Sequence, residues 1–267
     1  MYTISASCTL VRPRGRHAPM QPELPPEQVR GALETVAEEI LAEGHMLRPP
    51  IDALRLAQRL GLTVAHDGPA AVRARLVQFG SVGNGAGTIV LADDPRPERR
   101  HWAVAHEIGE SHAFRVFSEL GIRPGEAAPA AREEVANRLA GCLLLPRTSF
   151  LRDGLALDWD LRALKSRYAT ASHELIARRM LEMPPPVIIT LVDQGRRQWR
   201  RSNRRPYAPP MTPQESNVWQ AAHDRGAATR CRASRLPEGL ADIRAWPIQE
   251  PQWKREIVRT ALAEDPW

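Results

Sequence analysis

The stretch Arg99-Arg100-His101-Trp102-Ala103-Val104-Ala105-His106-Glu107-Ile108-Gly109-Glu110 decides how this chain is read. It follows the turn Asp93-Asp94-Pro95-Arg96-Pro97 and precedes Gly121 and Pro124, so one helix is expected from about Glu98 to Leu120. Two residues four apart on a helix are about 40° apart around its axis, so their side chains share a face. A His-Glu-x-x-His pattern uses that spacing to place two ligands on one metal ion, with the intervening Glu beside the attacking water. Here the helix offers His106, Glu107 and, at the fourth position on, Glu110. The second ligand is therefore a carboxylate, whose oxygen is an acceptable zinc donor. His112 does not replace it, because six residues on it points about 240° around the helix from His106.

A third ligand has to come from elsewhere, and the best source is Arg132-Glu133-Glu134-Val135-Ala136-Asn137-Arg138-Leu139-Ala140-Gly141. This lies in a helix expected from about Ala131 to Leu145, stopped by Pro146. Glu133, Ala136, Asn137 and Ala140 fall on one continuous face, and the small alanines allow close approach to the His106 helix. Glu133 is the preferred ligand. Glu134, about 100° away around the helix, is the alternative.

With these residues in place, the sequence resembles the ImmA/IrrE family of metallo-endopeptidases over approximately residues 30–190. The similarity runs through Ile51-Asp52 to Gly61-Leu62, a glycine-punctuated hairpin and the Arg99-to-Gly109 stretch. It continues through Glu133-to-Ala140, ending in Leu143-Leu144-Leu145-Pro146, and Ala171-Ser172-His173-Glu174 to Leu181. The resemblance implies an α+β, gluzincin-like core: a small mixed sheet, the His106 helix and a ligand helix, here with a C-terminal extension. It implies cleavage of a protein substrate, often a DNA-binding transcriptional repressor. It also implies His106 as metal ligand, Glu107 as general base and a Glu of the second helix as ligand. The family pattern has a second His where this chain has Glu110. One His with two carboxylates makes the set more anionic, weakening Zn²⁺ as a Lewis acid and making Mn²⁺ or Fe²⁺ less implausible.

Outward from this centre, residues 1–27 are rich in Pro and Arg and read as a tail. Residues 28–186 are expected to form the peptidase-like domain, and residues 187–267 a β-hairpin followed by a Trp-rich extension. A first helix is expected from Pro26 to Ala42, and a short one near Asp52 to Gly61, capped by Asp52 and ended by the glycine. Ala74 to Gly80 and Thr88 to Leu91 predict a hairpin around an Asn-Gly loop. Leu161 to Leu181 reads as two short helices, the second capped by Ser172. Val187 to Val192 is a buried-strand run, and Arg196 to Asn203 returns as an edge strand. From Met211 onward the pattern is irregular and suggests a small helical subdomain, with Trp219, Trp246, Trp253 and Trp267 packing it onto the core.

Composition bounds the function. No run approaches the roughly 18 apolar residues that cross a bilayer, and the N-terminus lacks an apolar signal core, so a cytoplasmic location is expected. Cys8, Cys142 and Cys231 are too far apart for a thiolate cluster or a disulfide framework. Net charge is +6, which permits contact with nucleic acid without establishing it. Six arginines within residues 196–205, around Trp199, suggest either phosphate contact or an edge strand guarded by charge, and the second reading is preferred. A non-catalytic protein binding a repressor or DNA through this basic segment is the rival to the peptidase. Tyr168 and His173 are the nearest candidates for an oxyanion donor.

Overall fold

The structure, a computed structural model, describes residues 24–67, 74–78, 87–232, 236–250 and 253–263. Most of the expected 1–27 tail, the loop 79–86, Cys8 and Trp267 lie outside the described residues.

Helix α1 (Pro26–Glu43) buries Leu33, Val36, Ala37, Ile40 and Leu41 on one stripe. Helix α2 (Ala53–Arg59) starts where the Asp52 carboxylate accepts from the Arg55 N–H and is followed by Gly61 at φ +80°. Strand β1 (Thr63–Asp67) runs parallel to β3 (Gly87–Ala92), and β2 (Ala74–Gln78) lies antiparallel on its other side. The expected pairing of 74–80 with 88–91 is thus present, and β2 is an edge strand.

Helix α3 (Pro97–Glu119) packs against this small sheet and against α4 (Pro129–Leu144). Helices α5 (Arg147–Ala156), α6 (Leu161–Arg167) and α7 (His173–Met180) follow. Asp160 and Ser172 cap the last two through their side chains. Buried Arg179 of α7 ties three elements together, donating to Glu34 of α1 at 2.8 Å and to the Leu145 carbonyl, just past α4, at 2.9 Å.

Beyond Pro186 the chain is β-rich. Strands β4 (Val187–Asp193), β5 (Arg196–Ser202), β6 (Thr229–Arg232), β7 (Leu240–Glu250) and β8 (Trp253–Leu262) form one antiparallel sheet in the order β5-β4-β8-β7-β6. Helix α8 (Pro213–Arg225), opened by a Thr212–Glu215 capping box, covers one face through Val218 and Ala222 against Ile243, Ala245 and Val258. Ile189, Leu191, Trp246 and Ile257 join the main core on the other face. Coverage on both sides explains why every residue of β4 is buried. The expectation of a helical C-terminal subdomain is therefore corrected: one helix lies there, but three strands complete the sheet that β4 and β5 begin. Buried Asp242, Arg244, Glu256 and Arg259 interrupt the alternation that would have shown those strands in the sequence.

Candidate metal centre

Gly109 brings the centre together. A Cβ built there would stand 2.7 Å from the carbonyl oxygen of Ala136, so α3 and α4 approach to a distance that only glycine allows. This contact sets His106 of α3 beside Glu133 and Asn137 of α4. Donor atoms of His106, Glu107 and Glu110 all lie within 4.8 Å of one another. From α4, a Glu133 carboxylate oxygen lies 3.7 Å from His106 Nε2. Glu107 is buried, His106 half-buried, and Glu110 and Glu133 are exposed, so the centre opens to solvent on one side.

Asn137 orients both sides of this arrangement. Its amide nitrogen donates to the Glu133 side-chain oxygen at 3.0 Å and to the Glu133 carbonyl at 3.0 Å. Only an NH₂ group can make both bonds, so the amide oxygen faces His106 Nδ1, 3.2 Å away. That oxygen accepts, so an imidazole N–H on Nδ1 matches it, and Nε2 is the ring nitrogen on the Glu133 side. Two donors held by one tetrahedral zinc stand roughly 3.3 Å apart. The 3.7 Å gap between Nε2 and Glu133 is close to that and long for a direct hydrogen bond. The donor set and its orientation therefore fit a divalent cation.

The other sequence candidates fall elsewhere. Glu134 lies on the outer side of α4, 3.9 Å from Arg138. His112 faces away, its Nδ1 2.9 Å from the Ile108 carbonyl, as the helical angle requires. Tyr168 is corrected as an oxyanion candidate: it is fully buried, and its hydroxyl donates to Asp153 at 3.0 Å. His173 lines a cleft beside α3, together with Trp102 one turn before His106. Gly109 and Asn137 carry the local geometry, yet the sequence reading gave neither a role. The signals were a glycine between two ligands and an amide at the fourth position after Glu133.

Residues 57–181 match the family model described as Peptidase_M78, IrrE N-terminal-like domain. This segment is similar to an IrrE N-terminal-like domain. The resemblance read from the motifs holds for it, and its α+β architecture is the expected one. A solved structure described as a Mycobacterium tuberculosis transcriptional regulator is similar in fold, with 20% identity and a TM-score of 0.61, covering 88% of this chain and 93% of that chain. Coverage of that extent carries the shared fold beyond the IrrE N-terminal-like domain into the C-terminal sheet. No curated protein matches the chain.

The basic segment is divided by the fold. Arg200 is sequestered, paired with buried Glu215 at 2.9 Å and donating to Thr190 and the Pro209 carbonyl. Arg196, Arg197, Arg201, Arg204 and Arg205 are exposed on or just beyond β5, the sheet's edge strand, with Arg201 beside the Trp199 ring. No helix among the described residues is long and apolar enough to cross a membrane.

Proposed function

We propose that the chain is a zinc-dependent metallo-endopeptidase in which His106, Glu110 and Glu133 hold the ion and Glu107 is the general base. The observation that supports this is the grouping of His106, Glu107 and Glu110, with Glu133 close to His106 and held by Asn137. Zinc bound there supplies a Lewis acid that polarises the scissile carbonyl and acidifies the attacking water. Glu107 takes the proton from that water as it attacks and can return it to the leaving amine. Its burial, beside the exposed Glu110, keeps the carboxylate away from bulk solvent while the substrate approaches from the open side. The edge strand β2 offers unpaired backbone groups along which an extended substrate can lie.

The substrate in this reading is a protein, and a DNA-binding repressor is the favoured class. The solved regulator that shares the fold supports a role in transcriptional control. Residues 28–186 then form the metal-holding unit, working in the cytoplasm. The rival, a non-catalytic protein that binds DNA through residues 196–205, loses Arg200 to an internal ion pair.

Metal analysis of the purified protein tests the proposal. About one equivalent of zinc, lost in Glu110→Ala and Glu133→Ala, is expected. Glu107→Gln should keep the ion and abolish cleavage of a protein substrate. Absence of stoichiometric metal in the wild type, or full proteolysis by Glu107→Gln, overturns it.

A further inference from the structure

A cleft of about 750 Å³ lies along α3 on the N-terminal side of His106, and three separated parts of the chain build it. Helix α3 contributes Trp102, the start of α7 contributes His173 and Leu175, and the β7–β8 hairpin contributes Ile248 and Trp253. Four of these are large apolar side chains, and Trp253 keeps 44% of its surface exposed although it lines a concavity. An exposed aromatic in a concave, polar-rimmed site marks a place where something binds.

The rim is charged but largely matched from within. Glu174 accepts from Arg178 at 2.8 Å and Arg255 at 2.9 Å. Asp93's neighbour Asp94 holds Arg99 at 3.4 Å, and Glu98 pairs with Lys165 at 2.9 Å. Charge is therefore a weak basis for selection, and the apolar floor is left to choose the ligand. The floor is also at the right range. Trp102 precedes His106 by four residues, about 6 Å of helical rise, which is roughly two residues of extended peptide.

We infer that this cleft takes a bulky apolar side chain of the polypeptide, about two residues from the bond being cleaved, with Trp102 and Trp253 as specificity-determining residues. The inference rests on the peptidase reading of the neighbouring centre. It gives the hairpin of the C-terminal sheet, outside residues 57–181, a direct part in substrate choice.

The test measures binding by the full-length Glu107→Gln variant. The probes are fluorescein-labelled pentapeptides of alanine in which one position is Phe, Leu, Ala or Asp, read by fluorescence anisotropy. The Phe and Leu peptides should bind at least about tenfold tighter than the Ala and Asp peptides, since burying one such side chain is sufficient for that ratio. Adding Trp253→Ala should erase the preference while zinc stoichiometry is unchanged, with Ile248→Ala as a second variant should the first not fold. Equal affinities, no binding by any peptide, or a preference that survives loss of Trp253 overturns the inference. Preferential binding without cleavage by the wild type would count against the peptidase reading alone. Cleavage without apolar preference would count against the cleft alone.

Discussion

Gly109→Ala is the sharpest probe of how the centre is assembled. A methyl group there would meet the Ala136 carbonyl oxygen at 2.7 Å and Ala136 Cα at 3.3 Å. These are backbone atoms, so no side chain can swing aside. Restoring an ordinary contact of ~3.5 Å requires α4 to recede by roughly 0.8 Å. Overpacking of this kind costs about 1–3 kcal/mol, offset by the ~0.5–1 kcal/mol that alanine gains over glycine inside a helix. The net loss of roughly 0.5–2 kcal/mol should lower the melting temperature by about 1–8 °C for a chain of this size. Metal binding should suffer more than stability, because ligand positions have to hold within about 0.2 Å and the recession moves Glu133 away from His106. The control is Gly141→Ala on α4, whose methyl would meet only the Leu175 side chain at 3.8 Å. That variant should melt no lower than the wild type. Thermal unfolding together with zinc titration reads both effects. If Gly109→Ala binds zinc and melts like Gly141→Ala, the close helix contact does not position the ligands.

Three further outcomes follow from the same geometry. Asn137→Ala, which frees the His106 tautomer and the Glu133 carboxylate together, should weaken zinc binding about 10–100-fold in a chelator competition with little change in fold. Tyr168→Phe should leave zinc binding intact but destabilise the chain by about 1.5–3 kcal/mol in a denaturant titration, since it removes a bond to a charged acceptor. Burial works to raise the Asp153 pKa, but hydrogen bonds from Arg152, Arg167 and Tyr168 outweigh it and hold the carboxyl below its ordinary value. The stabilisation Asp153 provides is therefore present above its unfolded pKa and lost as pH falls through the folded one, so the Tyr168→Phe deficit should shrink in strong acid. Burial pushes the Cys142 thiol up to about 12, so mass spectrometry should find it unalkylated at neutral pH until denaturant is added.

What the sequence revealed and what it hid divide along physical lines. Capping side chains act locally, and Asp52 and Ser172 could be read directly because each bonds a backbone N–H three residues on. The run Val187 to Val192 could be read because a strand covered on both faces has no polar alternation to interpret. Helix α5 was missed for the opposite reason. Its Gly154 reads as a helix breaker, yet a Cβ there would collide with the Trp159 ring at 2.4 Å, so a tertiary contact dictates the residue. The C-terminal strands were hidden by buried charges with distant partners. Arg244 donates to Asp158, far off in the chain, as well as to Asp242, and Glu256 accepts from Trp219 and lies 2.8 Å from His223 Nδ1. In the candidate centre, the grouping of His106, Glu107 and Glu110 followed from helical spacing within α3. The fit between α3 and α4 did not, because the contact of Gly109 with Ala136 joins residues whose proximity no local pattern records.

Glu110 is where this centre departs most from the two-His pattern, and its consequence can be separated from that of Asn137. Asn137 orders His106 and Glu133 through hydrogen bonds from α4, while Glu110 stands one turn from His106 on α3 and is exposed. The first pair is positioned by the fold; Glu110, the proposed third donor, is set by residue type alone. An imidazole at position 110 starts from the same backbone position and brings one less negative charge to the ion. Glu110→His should therefore hold zinc at least as tightly as the wild type, shift preference away from Mn²⁺, and raise the rate of peptide hydrolysis by restoring Lewis acidity. Competition between zinc and manganese under a metal buffer measures the first two effects, and a cleavage assay the third. Loss of zinc from Glu110→His, with the fold intact, would show that an imidazole at position 110 cannot replace the carboxylate on the ion; zinc retained in Glu110→Ala would show that residue 110 is not a ligand position and that the third donor comes from elsewhere.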